Sequence, residues 1–262
     1  MIRLVMTIND GFSEHLGALL ASIRKNNKCQ QIECYVVSDY ISLRNQEMIK
    51  NVVGSYCSVI FKIENDLGKL NFKVDKHANV SNYFRIYLPA LLPSVVSKVI
   101  YLDVDTLVLS DLGKLWETNI QNFAVAAVSS PNHEREQVLD IPPNHYLNSG
   151  VMLINLDFWR KNDITHLLAE FLSKNEDLIK FWDQDALSKI LLNKVKFIDE
   201  AWNYRGEYHK TKNINILHFA GMHKPWSIHV KNNNTRLYFR YLLNTPYRKV
   251  FRLLRSYDYF AF

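Results

Sequence analysis

"IRLVMTINDGFSEHLGALLASIRKNNKCQQIECYVVSD", residues 2–39, decides the fold. Residues 2–8 form a short apolar run bounded by a turn, which reads as a buried strand. "NDGF" (9–12) is that turn. Leu16, Leu19, Leu20 and Ile23 recur at helical spacing across 13–26, with Ser13 placed to cap the helix. Residues 32–39 form a second strand. A second helix opened by Ser42 and a third strand at 58–64 continue the alternation. Strand and helix in strict succession require a mostly parallel, doubly wound sheet. The expected class is α/β: a single Rossmann-like domain with a mostly parallel mixed sheet and a basic, aromatic, helical C-terminal tail.

The 262 residues suffice for one large domain over 1–230 with an appended segment at 231–262. Cys29, Cys34 and Cys57 lack C-x-x-C spacing, so the expectation is a reducing cytosol without a disulfide framework. The first apolar run is too short for a signal peptide, and no apolar stretch is long enough to span a bilayer. The expected location is cytoplasmic, peripheral on the inner face of the cell membrane. Residues 231–262 carry seven Lys or Arg against one Asp, which accounts for the whole net charge of +6. Nine aromatics are interleaved with them. Two readings stay open for this segment: an anionic membrane surface as partner, or a terminal helix packing its apolar side on the domain. Nucleic acid is not expected, because the basicity stops short of the main domain.

Doubly wound sheets bind ligands beyond the carboxyl ends of their strands. Asn9, Asp10 and Asp39 follow the first two strands. "SKVIYLDVD" (97–105) ends a later strand in Asp103 and Asp105. At i and i+2 the two carboxylates share one side of an extended chain and repel. They are either a solvated strand end or ligands for a divalent cation, which takes hard oxygen donors. The second half of the chain supplies further elements. A helix at 80–92 carries Arg85 on its polar side, and a strand at about 150–156 runs into a helix. The helix in "ITHLLAEFLSKN" (164–175) turns Leu167, Leu168, Phe171 and Leu172 inward. "FWDQDALSKILL" (181–192) places Asp183 and Asp185 in a first turn, where acids suit the helix dipole. "INILHFAG" (214–221) is a strand ending at His218. Blander duties fit several other residues: packing for Trp159 and Trp226, a helix cap for Asp157, ordinary helix positions for His15 and His166, and a loop position without catalytic duty for His223. Asp185 is left between serving the dipole, orienting Arg85 and holding a loop.

G-x-G-x-x-G, G-x-x-x-x-G-K-[ST] and G-x-S-x-G are all missing, which argues against dinucleotide dehydrogenases, P-loop hydrolases and α/β-hydrolases. What remains is an acid pair with a late histidine. Two oxygens and an imidazole suit Mn²⁺, with Mg²⁺ as the alternative, and leave positions for phosphate oxygens. Arg85 and Lys224 offer further positive charge.

Four segments in order then carry a family resemblance: "YLDVDTLV" to a D-x-D segment, "YLNSGVMLINLDFWR" to an N-[AS]-G segment, "DQDALS" to a D-Q-D segment, and "HFAGMHKPW" to an H-[FY]-x-G-x-x-K-P-W segment. Over about residues 2–229 the chain resembles the retaining glycosyltransferases of family 8, which include bacterial lipopolysaccharide galactosyl- and glucosyltransferases and glycogenin. The resemblance implies a GT-A fold and hexose transfer, galactose or glucose, from a UDP-sugar to a glycan or lipid-linked oligosaccharide, in cell-surface polysaccharide or lipopolysaccharide synthesis. It implies Asp103, Asp105 and His218 on the metal, with Val104 between the acids counted in the donor site. It implies Gly221 and Lys224 on the diphosphate, and Thr7, Asn9 and Phe12 around the base. Arg85 falls on sugar or phosphate, with Asn148, Asp183 and Gln184 lining the reacting sugar. Asp183, Gln184 and Arg85 are then the catalytic candidates. Asn9 stands where the family often has an aspartate, and Ser129-Ser130-Pro131 where many galactosyltransferases carry an acid. The rival functions are a metal-dependent sugar-nucleotide phosphohydrolase, a non-catalytic membrane-binding module, and a self-glucosylating protein.

Overall fold

The computed structural model describes residues 1–64, 83–227 and 232–248. The opening alternation forms as expected: β1 (Ile2–Thr7), α1 (Ser13–Asn26), β2 (Ile32–Ser38), α2 (Leu43–Val53) and β3 (Cys57–Ile63). There follow a one-turn α3 (Leu88–Leu91), β4 (Lys98–Leu102), β5 (Thr106–Val108), α4 (Gly113–Trp116), β6 (Val125–Ser129) and α5 (His133–Val138). The chain continues through β7 (Leu147–Asn155), α6 (Leu156–Lys161), α7 (Ile164–Lys174), α8 (Trp182–Ile190), β8 (Val195–Ile198), β9 (Ile216–His218) and α9 (Asn233–Leu242). Seven strands make one sheet in the order β3-β2-β1-β4-β7-β6-β8. All neighbours pair in parallel except β7, which runs antiparallel to both β4 and β6. A separate ribbon joins β5 to β9, antiparallel.

Strand periodicity divides the core. Leu4 and Met6 of β1 pack with α1, α2, α9 and the ribbon, while Val5 faces the layer built from α3, α6, α7 and α8. Central strands buried on both faces need continuous apolar runs, and the sequences of β1, β2 and β4 supply them.

Several local expectations give way. Ser13 is not a cap: a single 3-10 turn at Asp10–Phe12 feeds α1 directly, and Ser13 is its first helical residue. Asp10 closes that loop instead, accepting from Ser42 N–H and Asn45 Nδ2 at 2.8 Å each. The helix expected at 80–92 is a 3-10 turn (Phe84–Tyr87) followed by α3, with residues 80–82 outside the described range. Arg85 is buried rather than on a polar side. β7 begins at Leu147, not 150, because Asn148 and Ser149 find polar partners inside the molecule. Asn155, not Asp157, caps α6, accepting from Phe158 N–H at 3.0 Å. In α7 the buried stripe is Ile164, Leu168 and Leu172, which leaves Leu167 exposed.

The start of the C-terminal segment is part of the domain. α9 lays Leu237, Tyr238, Tyr241 and Leu242 into the core beside α1 and turns Arg236 and Arg240 outward. Its anchor is His15, a residue expected to have no special duty. His15 stacks on Trp226 (ring centroids 3.8 Å) and meets Tyr238 Oη through Nδ1 at 2.6 Å. Burial pushes the His15 imidazole down to about 4, so the pair is held neutral. Residues 249–262, where the tail's further basic and aromatic residues fall, and His229 lie outside the described residues. No helix among the described residues is long and apolar enough to cross a membrane. The three cysteines are free thiols.

If α9 belongs to the core, Tyr238→Ala should cost about 3–5 kcal/mol in urea unfolding, as large buried aromatics do. A loss below about 1 kcal/mol would make α9 a peripheral attachment.

Candidate active site

The sheet delivers the acid pair, and the ribbon delivers the histidine. Asp103 N–H donates to Gly150 O at 2.7 Å, carrying the β4–β7 ladder one residue past the strand. Thr106 Oγ1 then donates to Asp103 O at 2.7 Å, which tightens the turn into β5. In the ribbon, Thr106 lies opposite His218, and Phe219 N–H donates to Asp105 O at 2.9 Å. His218 Nε2 therefore sits 3.4 Å from Asp105 Oδ1 and 4.0 Å from Asp103 Oδ2. One ligand atom from each of the three lies within 4.8 Å of the others. Gly150 makes room for this. A Cβ there would fall 2.3 Å from His218 Cε1 and 2.8 Å from Asp103 Oδ2.

The remaining polar atoms of the trio have partners that aim it. Asp103 Oδ1 accepts from Tyr101 Oη (2.8 Å) and Arg85 Nη2 (2.9 Å). Because the Tyr101 proton goes to Asp103, Thr7 Oγ1 donates to Tyr101 Oη, at 2.9 Å. Lys224 Nζ reaches Asp105 Oδ2 at 2.5 Å and Phe219 O at 2.8 Å. His218 Nδ1 meets Asn203 Oδ1 at 2.8 Å. What is left facing inward is Asp103 Oδ2, Asp105 Oδ1 and His218 Nε2, three acceptor atoms that a hard divalent cation satisfies together. The donor set and the space beside Gly150 fit such an ion.

Electrostatics hold Asp105 charged where the ion is needed. Burial resists ionisation of Asp105, but a proton on His218 Nε2, where no cation takes its place, and the Lys224 ammonium outweigh it and keep the carboxyl well below the usual range. The Arg85 guanidinium stacks over the Tyr101 ring, 4.5 Å from its centroid, and donates to Ser149 O and Oγ at 3.0 Å each. Burial opposes its charge, yet Asp103 and Asp183 raise it above the ordinary value. Asp183 shifts the opposite way from Asp105. Its Oδ2 approaches Arg85 Nε at 3.2 Å but without hydrogen-bond alignment. Burial pushes Asp183 up to about 6, against the pull of Arg85.

The trio opens on a pocket of about 390 Å³. Of the residues singled out by sequence, Thr7, Phe12, Arg85, Val104, Asn148, Asp183, Gln184, Gly221 and Lys224 line it along with the trio, while Asn9 does not. Gly221 adopts φ +88°, a conformation that favours glycine. The hydroxyl of Thr7 and the Arg85 guanidinium also brace the Asp103 carboxylate from behind. Phe181 and Trp182 form an aromatic lip, each more than one-third exposed. Trp182 takes φ +45° at the start of α8. Asp185 fixes that loop, accepting from the N–H groups of Lys180 and Phe181 at 2.8 and 2.9 Å. Its ion-pair partner is Arg135, not Arg85, at 2.8 Å. Sequence reading missed Tyr101, Gly150 and Asn203. A lone glycine inside the apolar run of β7 signals close approach of another group. Asn203, within "AWNYRG", carries no such mark.

Comparison with known proteins gives a family and a fold. Residues 3–229 match the family described as Glycosyl transferase family 8. General stress protein A of Bacillus subtilis (strain 168) is 29% identical, over 95% of this chain and 96% of its own length. The lipopolysaccharide 1,2-glucosyltransferase of Escherichia coli is 27% identical, over 93% and 78%. Among solved structures, the galactosyltransferase LgtC in complex with donor and acceptor sugar analogs superposes with TM-score 0.82 at 22% identity, covering 95% of this chain and 99% of that one. This last likeness establishes the GT-A fold.

The raised proton affinity of Asp183 has a consequence for stability. A carboxyl whose folded pKa lies above its unfolded value stabilises below the unfolded pKa and loses that contribution as pH rises. Between pH 4 and 7 in EDTA, Asp183→Asn should gain about 2–3 kcal/mol relative to wild type, from roughly two units at 1.36 kcal/mol each. A stability difference that stays flat across this range in urea unfolding would contradict the assignment.

Proposed function

The chain belongs to glycosyl transferase family 8, and on that footing we propose that it moves a hexose, galactose or glucose, from a UDP-sugar to a glycan or lipid-linked acceptor with retention of anomeric configuration. The observation that carries this reading is the trio Asp103, Asp105 and His218 converging in the wall of one pocket. These residues would hold Mn²⁺, or Mg²⁺ in its place. The cation, when bound, supplies Lewis-acid stabilisation to the departing diphosphate.

The rest is done by the chain itself. Lys224 and Gly221 flank the diphosphate position, and Val104, between the metal acids, closes that side of the donor. Thr7, Phe12 and, from beside the pocket, Asn9 form the base end. Arg85 locks the Asp103 carboxylate and adds positive charge behind the leaving group. Asn148, Asp183 and Gln184 border the sugar. The carbonyl oxygen of Gln184 already accepts from Asn148 Nδ2 (3.0 Å) and Ser149 N–H (3.2 Å), which leaves it no lone pair for attack. With Gln184 set aside, the reading is a same-face route, Asp183 being the alternative nucleophile. The bond from the anomeric carbon to phosphate breaks, the acceptor oxygen bonds to the same face, and its proton passes to the freed phosphate oxygen. The aromatic lip of Phe181 and Trp182 suits an acceptor sugar packed against its face.

The test is UDP release across a panel of UDP-sugars, with Mn²⁺ and with EDTA, and with free sugar identified. Release should need the metal. It should fall at least about 100-fold in Asp103→Asn/Asp105→Asn, and about 10–100-fold in Gly150→Ala, whose methyl displaces His218. Sugar phosphate in place of UDP would select the phosphohydrolase instead. Metal-independent release would overturn the reading.

Peripheral attachment to an anionic membrane is the second element of the proposal, and it fits lipopolysaccharide synthesis. The apolar side of α9 is consumed by the core, so the contact falls on the outward Arg236 and Arg240. Arg236→Glu/Arg240→Glu should reduce sedimentation with phosphatidylserine vesicles several-fold, each cation near the surface being worth about 1 kcal/mol. Unchanged sedimentation would remove these arginines from the contact.

A further inference from the structure

A row of side-chain amides runs from the metal histidine to the sugar side of the pocket, and its orientation is over-determined. Gly150 N–H donates to Asn148 Oδ1 at 3.1 Å, and Ser149 N–H donates to Gln184 Oε1 at 3.2 Å. A backbone N–H cannot accept, so both side chains are fixed with their oxygens toward β7. Asn148 Nδ2 then donates to Gln184 Oε1 at 3.0 Å. At the near end, Asn203 must turn its nitrogen toward Asn148 Oδ1, at 2.7 Å, and its oxygen toward His218 Nδ1, at 2.8 Å. An oxygen there demands a proton on Nδ1.

We propose that Asn203 is a positioning residue: it holds His218 in the Nδ1–H tautomer, so that the Nε2 lone pair faces Asp103 and Asp105. The inference rests on the metal-site reading above. Asn203 itself is 1% exposed and does not line the pocket. It acts on the ion only through the imidazole, as outer hydrogen-bond partners of metal-bound histidines do. The same row pins the Gln184 carbonyl against β7. One chain of amides thus sets what both the cation and the sugar meet.

The experiment uses the full-length protein and two variants. Asn203→Leu removes both hydrogen bonds. Asn203→Asp keeps an acceptor for His218 Nδ1–H but sets a carboxylate against Asn148 Oδ1. Mn²⁺ affinity is read by electron paramagnetic resonance, and thermal unfolding is followed in parallel. The His218 tautomer is read from two-bond ¹H–¹⁵N correlations in EDTA, at a pH where the imidazole signals have stopped moving. Wild type should show the Nδ1–H form. Asn203→Leu should shift toward the Nε2–H form and bind Mn²⁺ about 10–100-fold more weakly. Asn203→Asp should melt lower than wild type yet keep the Nδ1–H tautomer and bind Mn²⁺ more tightly than Asn203→Leu does. Affinity would then follow the tautomer rather than the melting temperature. An Nε2–H form in wild type, or affinities that simply track melting temperature, would overturn the proposal. Should wild type bind no Mn²⁺, the metal reading falls by itself, and the tautomer spectra alone decide the role of Asn203.

Discussion

The antiparallel pairing of Thr106 with His218 is the constraint on which the site depends. Asp103 and Asp105 come with the edge of the main sheet, but His218 is more than a hundred residues further along the chain. A ribbon of three residues per strand closes that gap. The acid pair is hydrogen-bonded on both sides, through Asp103 to Gly150 of the main sheet and through Asp105 to Phe219 at the end of the ribbon. A one-residue slip would turn His218 away from the carboxylates, because side chains alternate along a strand. The ribbon is itself buried, with Leu107, Val108, Ile216 and Leu217 in the core, so the register is held by packing as well as by its ladder.

Buried charge around the trio follows the same economy. Arg85, Asp103 and Asp183 lie against one another in the pocket wall, and Lys224 closes on Asp105. Ion pairs this deep contribute little net stability once desolvation is counted, whereas losing one partner strands the other. Their value lies in direction: each donor placed on a carboxylate leaves one defined oxygen pointing inward. Asp183, pushed up by burial and imperfectly aligned with Arg85, is the member whose charge the protein holds least firmly.

Much of this was legible in the chain. The alternation over residues 2–64 dictated the parallel half of the sheet, since strands joined through intervening helices cross over and pair in parallel. Asp103, Asp105 and His218 stood out as acids and an imidazole at strand ends. Other features were hidden because long-range partners decide them. Arg85 reads as a surface residue of a helix, but Asp103 and Ser149 draw it inside. For Asp185 the dipole, Arg85 and a loop were all open, and it holds the amides of its own loop while pairing with Arg135, a partner the sequence did not suggest. Asn155 took the cap that Asp157 was expected to supply, and Tyr238 gave His15 a buried neutral role. Gly150 and Asn203 act on residues distant in sequence, which no local periodicity encodes.

The central claim is that Asp103, Asp105 and His218 together bind the cation that carries the donor. A crystal grown with Mn²⁺ and UDP, measured at the manganese absorption edge, tests it directly. The account predicts one strong anomalous peak bounded by Asp103 Oδ2, Asp105 Oδ1 and His218 Nε2, with diphosphate oxygens completing the shell. UDP bound in the pocket with no peak there, or a peak held by other residues, would contradict it.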